Sequence, residues 1–128
     1  MRTLLDTHFV LWVSFEPGRV PLAAADILNS PDAELWFSVA SLWEISIKAA
    51  LSRPDFRLDP HQLRLDLVEN GYKELEITGA HALAAGGLPL IHRDPFDRML
   101  VAQAMLEGIE LLTRDAQLAK YPGPIRLV

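Results

Sequence analysis

Four acidic residues stand at predicted junctions between strands and helices: Asp6, Glu44, Asp97 and Asp115. Carboxylates gathered in one cleft repel one another, so their convergence requires a cation to hold them. Oxygen ligands without cysteine or histidine favour Mg²⁺ or Mn²⁺. A divalent ion held in this way can bridge a phosphate and activate a water molecule for hydrolysis. If the acids meet, metal-dependent phosphodiester chemistry is the chemistry they favour.

Three of these acids also have ordinary structural explanations. Asp6 and Asp115 can cap the helices that follow them, which is a common role of aspartate. Asp97 follows the helix-start pair Asp94-Pro95, and the helix dipole there favours its ionised form. Taken singly, none of the three demands a metal, so the argument depends on all four acids meeting at one edge of a sheet.

Glu44 has two structural explanations of its own. With Ser41 it fits the capping-box pattern S-x-x-E, and with Lys48 it forms an i, i+4 ion pair. However, residues 42–51 are apolar on nearly every side, so their helix is expected to be largely buried. A carboxylate in such a helix is costly unless it faces a partner or a cleft.

Length and composition limit the classes of protein that fit this chain. Its 128 residues and 50% hydrophobic content suit one folded domain over residues 1–128. A net charge of −5 argues against holding nucleic acid through basic surface alone. There is no cysteine, which excludes disulfides and thiolate metal sites and fits a reducing cytoplasm. Asp6 and His8 interrupt the N-terminal apolar run, which argues against a signal peptide, and no segment is apolar for long enough to span a membrane.

Strands and helices alternate along the predicted chain. Short apolar or alternating runs predict strands at 3–5, 34–37, 73–77, 109–113 and 125–128, with 73–77 near a sheet edge. Capping residues and apolar periodicity predict helices at 9–14, 21–29, 38 or 41 to 51, 60–70, 78–85, 95–107 and 115–120, with a loop at 52–55. This alternation favours an α/β fold with a parallel sheet covered by helices on both faces. Ligands of such sheets bind beyond the carboxyl ends of the strands, where the four acids are expected.

Four sequence blocks resemble the signature blocks of PIN-domain ribonucleases, and more narrowly those of VapC-type toxins of toxin–antitoxin pairs. They are LLDTH at 4–8, SLWEISIK at 41–48, HRDPFDRMLVAQA at 92–104 and LLTRD at 111–115. The third block is the most specific, and together the four cover essentially the whole chain. The resemblance implies a three-layer α/β/α sandwich with a central parallel sheet.

The resemblance also implies a function and a set of site residues. It places the catalytic and metal-binding acids of the family on Asp6, Glu44, Asp97 and Asp115, and Thr113 matches the hydroxyl residue beside the last acid. Members of this family are Mg²⁺- or Mn²⁺-dependent endoribonucleases that use a metal-activated water. They usually form homodimers, and a small antitoxin encoded beside them holds them inactive. The expected partners are therefore a cognate antitoxin, an RNA substrate and a second copy of the chain.

Several further residues have more than one interpretation. Arg98 and Arg114 each neighbour a site acid, so they are candidate substrate-binding residues beside a plain surface role. Asp94 is expected to cap its helix rather than bind metal, and His8 and His92 can approach the groove without being ligands. The three tryptophans fit the core, whereas the helical stretches 23–28 and 42–51 can also form a dimer or antitoxin surface.

Three other functions remain open at this stage. A haloacid-dehalogenase-like phosphatase would use Asp6 as its nucleophile, but it would require a second aspartate at the position of His8. A phospho-receiver module has a similar length, but it would want an acid pair after the first strand and a lysine at the end of a late strand. A PIN-fold binding protein that does not cut RNA is the remaining alternative.

Overall fold

The computed structural model describes residues 1–51 and 58–128, and the loop predicted at 52–55 lies outside the described residues. The strands are β1 (Arg2–Leu5), β2 (Glu34–Ser38), β3 (Lys73–Leu75), β4 (Glu110–Thr113) and β5 (Ile125–Leu127). The α-helices are α1 (Thr7–Phe15), α2 (Leu22–Leu28), α3 (Val39–Ala50), α4 (Pro60–Glu69), α5 (Gly79–Gly86) and α6 (Pro95–Glu107). Short 3₁₀ helices lie at Pro17–Arg19 and Leu118–Lys120.

Within the described ranges, the five strands form one sheet in the order β3-β2-β1-β4-β5, and every neighbouring pair is parallel. The chain builds outward from β1 through β2 to the edge strand β3, and then crosses to the other side of β1 to form β4 and β5. The parallel sheet and the edge position of β3 were both predicted and are confirmed. The crevice between the carboxyl ends of β1 and β4 is the topological switch point, where α/β sheets bind ligands.

The two faces of the sheet carry separate cores because successive strand residues point to opposite sides. Leu5 and Leu112 belong to a cluster that α1 to α4 cover, whereas Leu4 and Leu111 belong to a cluster that includes residues of α6. All four side chains are fully buried. The result is the predicted three-layer α/β/α sandwich.

The helix ends follow local capping chemistry. Asp6, Ser38 and Asp94 cap α1, α3 and α6 through side-chain oxygens that accept backbone N–H groups. At the other end of α6, Gly108 has a φ of 61°, a left-handed conformation that glycine adopts without strain. These caps fix where each helix begins, and so they fix which side chains reach the carboxyl edge of the sheet.

Three predicted boundaries were wrong, each for a local reason. Helix α1 begins at Thr7 rather than at Phe9, because the Asp6 side chain accepts the backbone N–H of Phe9. Strand β3 stops at Leu75, which pairs with the last residue of β2. The segment after β4 is a turn followed by a 3₁₀ helix, since Asp115 accepts the backbone N–H of Gln117 instead of capping an α-helix.

The expected burial of α3 was also wrong. Trp43 is 60% exposed and Leu51 is 80% exposed, so one side of this apolar helix faces solvent. Trp43 therefore does not belong to the core; its ring packs edge-on against Phe96, with ring centroids 5.2 Å apart. Among the described residues, no helix is long and apolar enough to cross a membrane.

Candidate active site

Asp6 and Thr113 meet at the switch point between β1 and β4. Asp6 follows the last residue of β1, and its backbone N–H donates to the carbonyl of Leu112 at 3.1 Å. Its Oδ1 accepts the N–H of Phe9 at 3.0 Å, and its Oδ2 accepts the hydroxyl of Thr113 at 2.6 Å. Asp6 is 3% exposed. Burial raises the pKa of Asp6 above its ordinary value, while the bond from Thr113 opposes that rise.

Asp97 lies in the first turn of α6, beside the capping residue Asp94. Burial raises the pKa of Asp97 to about 7, and the charges of Asp94, Glu44 and Asp6 add to the effect, while His92 opposes it. The prediction that the helix dipole keeps Asp97 ionised was therefore wrong. Desolvation and three like charges outweigh a dipole contribution that is typically below about 1 kcal/mol.

Asp115 is joined to Asp97 through His92. The imidazole Nε2 of His92 lies 3.0 Å from Asp115 Oδ2 and 3.5 Å from Asp97 Oδ2. One ligand atom from each of these three residues lies within 4.8 Å of the other two. Sequence reasoning missed this position of His92 because it depends on the path of the loop before α6, which no spacing rule gives.

Glu44 approaches the cluster from α3. It lies six residues beyond the capping residue Ser38, so the capping box with Ser41 does not form; the Ser41 hydroxyl is hydrogen-bonded to that of Thr7 at 2.9 Å. Glu44 Oε2 pairs with Lys48 at 3.0 Å, as predicted. Its Oε1 is buried and finds no hydrogen-bond partner among the described residues. An unpartnered buried carboxylate oxygen is costly, so it calls for a ligand in the cleft.

The four predicted acids influence one another electrostatically, at the carboxyl edge of the sheet. The charges of Glu44 and Asp6 reach Asp97, and that of Asp115 reaches Asp6. Their donor atoms are all oxygens, which suits a hard divalent cation. The orphaned oxygen of Glu44 and the raised pKa of Asp97 both mark a site with more negative charge than its protein groups neutralise. The residues therefore fit a divalent metal.

Arg98 does not lie in this cleft. The residue is 9% exposed, and its guanidinium donates to the backbone carbonyls of Ala85, Leu88 and Pro89 at 2.9, 3.1 and 2.9 Å. The same group donates to the Tyr121 hydroxyl at 3.3 Å. A substrate-binding role for Arg98 is therefore not supported, because its donors already bind the end of α5 and the loop that precedes α6. Side-chain length allows this inward reach, and sequence position alone does not reveal it.

The remaining predicted residues lie around the cleft. Arg114 is exposed, directly before Asp115. Thr113 is fully buried, so its hydroxyl contacts Asp6 rather than open solvent. His8 is exposed on α1, where its charge lowers the pKa of Asp6. Asp94 caps α6, as predicted, through bonds from the N–H groups of Phe96 and Asp97.

Beside the acids, a groove of about 460 Å³ separates α3 from the start of α6. It is lined by charged and apolar side chains that include Glu44, Lys48, Arg93 and Phe96. The cleft therefore opens onto a surface that presents both cations and an aromatic ring.

Known proteins match this chain over nearly its whole length. The PIN domain family model matches residues 3–124. Ribonuclease VapC22 of Mycobacterium tuberculosis is 31% identical over 125 residues, which is 95% of this chain and 95% of the relative.

Solved structures share the fold. VapBC2 from Rickettsia felis, bound to a DNA fragment from its promoter, aligns over 99% of this chain and 98% of its own, with a TM-score of 0.73 and 14% identity. A toxin–antitoxin complex from Klebsiella pneumoniae aligns over 97% and 95%, with a TM-score of 0.63 and 20% identity. VapBC-1 from nontypeable Haemophilus influenzae aligns over 94% and 91%, with a TM-score of 0.61 and 17% identity. The family match across residues 3–124, with the 31% identity to a relative over 95% of the chain, shows that this protein belongs to the PIN-domain family.

Proposed function

We propose that this protein is a Mg²⁺- or Mn²⁺-dependent endoribonuclease that acts as the toxin of a toxin–antitoxin pair. The observation that supports the proposal is the mutual electrostatic influence of Asp6, Glu44, Asp97 and Asp115 at the carboxyl edge of the sheet, together with the buried, unpartnered oxygen of Glu44. The 31% identity to Ribonuclease VapC22 supports RNA as the substrate.

The proposed metal ligands and catalytic residues are Asp6, Glu44, Asp97 and Asp115. A divalent cation bound there would supply a water activated for attack and would neutralise charge on the phosphate. The protein contributes fixed ligand positions: Asp6 is held by two hydrogen bonds, and Asp115 is held by the backbone N–H of Gln117. Binding also requires Asp97 to lose the proton that its raised pKa favours, so metal loading releases a proton.

The side chains around the cleft have distinct proposed roles. Thr113 orients Asp6 through its hydroxyl, and the exposed Arg114 provides a cation for an RNA phosphate. Phosphate contacts of this kind position an RNA without reading its sequence.

A protein partner is the second part of the proposal. The solved neighbours are VapBC and toxin–antitoxin complexes, and by analogy we assign a cognate antitoxin to this chain. We propose a homodimer because the family resemblance implies one. The exposed apolar side chains of Trp43 and Ile47 in α3, and of its capping residue Leu51, offer such partners a surface beside Glu44. Residues 1–128 would act as one domain around the single sheet, in the cytoplasm.

The alternative functions are not favoured by the geometry. A phosphatase nucleophile must reach its substrate, but Asp6 is almost fully buried and both of its oxygens accept hydrogen bonds. A phospho-receiver would place a lysine after the late strand β4, where Thr113-Arg114-Asp115 stand.

Cleavage of RNA by the purified protein tests the proposal directly. Wild-type protein with Mg²⁺ or Mn²⁺ should cut RNA, and a chelator should abolish the cleavage. Asp97→Asn should reduce the rate at least about a hundredfold, because it removes a charged ligand without changing side-chain size. Equal activity of wild type and Asp97→Asn would overturn the mechanism.

A further inference from the structure

His92 is held in one tautomer by its own loop. The backbone N–H of Asp94 donates to Nδ1 of the imidazole at 3.1 Å, so Nδ1 acts as an acceptor and carries no proton. In the neutral ring the proton is then on Nε2. That N–H lies 3.0 Å from Asp115 Oδ2 and 3.5 Å from Asp97 Oδ2, between the two carboxylates.

The backbone of His92 is fixed as well. Its N–H donates to the Tyr121 hydroxyl at 2.8 Å, and its carbonyl oxygen accepts that hydroxyl at 3.3 Å. Tyr121 is 4% exposed, and Arg98 donates both to its hydroxyl and to the carbonyl of Pro89, on the same loop. The ring therefore enters the cleft from a loop that is tied to the buried side chains beneath it.

These contacts have a consequence for the acids. The Nε2–H donates to Asp115 Oδ2, and Asp97 Oδ2 lies 3.5 Å from the same nitrogen without a hydrogen bond to it. When Asp97 and Asp115 are both ionised they repel, and the N–H between them offsets part of that repulsion. Because Nε2 carries the proton, it has no lone pair to offer a metal, so the imidazole acts as a donor and not as a ligand. Hydrogen bonds of this type to ligating carboxylates fix their orientation and tune metal affinity.

We propose that His92 is a positioning residue whose Nε2–H orients Asp115, beside Asp97, for a divalent cation. The inference rests on the proposed function, since it assigns these two carboxylates to the metal. Arg98 and Tyr121 contribute indirectly, because they hold the loop that presents the ring.

Two variants of similar size distinguish a role in positioning Asp115 from a role that is limited to shaping the loop around His92. His92→Asn keeps an oxygen where Nδ1 accepts the Asp94 N–H, so it preserves the turn, but it is too short to reach Asp115. His92→Gln places its amide N–H near the position of Nε2, so it can still donate to Asp115. If His92 only shaped the loop, asparagine would be the better replacement.

Mn²⁺ binding by calorimetry, on the full chain, provides a readout that does not depend on cleavage. We expect His92→Asn to weaken the affinity about tenfold to a hundredfold, and His92→Gln to restore most of it. In the wild type, ¹⁵N NMR of the ring should show a protonated Nε2 and an unprotonated Nδ1. Wild-type affinity in His92→Asn, or a ring with its proton on Nδ1, would overturn the role of His92 while leaving the nuclease proposal intact. A wild-type protein that neither binds Mn²⁺ nor cuts RNA would overturn both.

Discussion

Thr113 and Asp6 are joined by a side-chain hydrogen bond of 2.6 Å, although they lie 107 positions apart in the chain. The bond spans the gap between β1 and β4, at the switch point of the sheet. The Thr113 hydroxyl also accepts the N–H of Asp115 at 3.0 Å. One fully buried hydroxyl therefore connects two of the four acids, and it orients one by donating and the other by accepting.

Thr113→Val keeps the shape of the side chain and removes that hydroxyl. In the wild type, the hydrogen bond from Thr113 lowers the pKa of Asp6. The valine variant lacks this bond, so the pKa of Asp6 should rise further. RNA cleavage should then require a higher pH, because the ionised form of Asp6 binds the metal. The free energy of unfolding should fall by about 1–3 kcal/mol, since a buried acceptor loses its donor. Urea denaturation and a pH–rate profile measure both effects, with Thr113→Ser as the control that retains the hydroxyl; a valine variant that behaves like the serine variant would contradict this role.

Asp97→Asn should stabilise the protein in the absence of added metal. The folded state holds the Asp97 proton up to a pH of about 7, whereas the unfolded chain releases it near 3.8. The contribution of Asp97 to the free energy of unfolding therefore declines as the pH rises from about 4 to about 7, and stays low above pH 7. At pH 8 the free energy of unfolding of the variant should exceed that of the wild type by about 2 kcal/mol. This is roughly half of the free energy that corresponds to the full pKa difference, because the carboxylate keeps some contact with water.

Thermal melts of wild type and Asp97→Asn between pH 4 and pH 8 would measure this difference. The two curves should approach each other toward pH 4, where the folded-state carboxyl is protonated and the unfolded chain is only partly ionised. Added Mn²⁺ should raise the melting temperature of the wild type only. A variant that is less stable than wild type at pH 8 would contradict the expectation.

Glu44→Gln tests the role of the unpartnered oxygen. The amide removes one negative charge from the cleft, so metal affinity should fall and cleavage should slow by at least about a hundredfold. Lys48→Met is the matched control, because it breaks the ion pair with Glu44 but leaves the carboxylate. It should change stability by no more than about 0.5 kcal/mol and retain most of the cleavage activity. Comparable loss of metal binding in both variants would argue that the ion pair, rather than the free oxygen, matters.

The two arginines beside site acids should behave in opposite ways. Arg98→Met leaves the carbonyls of the loop before α6 without their donor, so the free energy of unfolding should fall by about 2–4 kcal/mol. Arg114→Ala should change stability by less than about 0.5 kcal/mol. Instead it should raise KM for RNA and reduce the salt slope of binding by about 1. Denaturation curves and salt-dependent RNA binding separate the two, and a strongly destabilised Arg114→Ala would contradict its assignment as a surface cation.

The sequence predicted the sheet and the edge at which the acids stand, because those follow from strand periodicity and from the order of elements. Asp6 and Asp115 each follow a strand, so parallel pairing alone brings them to the same edge. The position of Asp97 in the first turn of α6 could be predicted because the capping residue Asp94 sets the start of that helix.

What the sequence did not predict depends on side-chain reach and on loop paths. Arg98 turns inward because carbonyls at the end of α5 and in the following loop accept its N–H groups, and its sequence position gives no sign of them. His92 reaches Asp115 for a similar reason. Trp43 was assigned to the core from its hydrophobicity, but α3 has more apolar residues than the sheet can cover.

The order of the strands also governs when the site can form during synthesis. The central strand β1 leaves the ribosome first, but its neighbour β4 and the residue Asp115 follow more than a hundred residues later. A nascent chain that ends before β4 has Asp6 without Thr113, and it lacks one of the four acids altogether. If the four acids form the active site as proposed, the nascent chain gains activity only after β4 and Asp115 have been made.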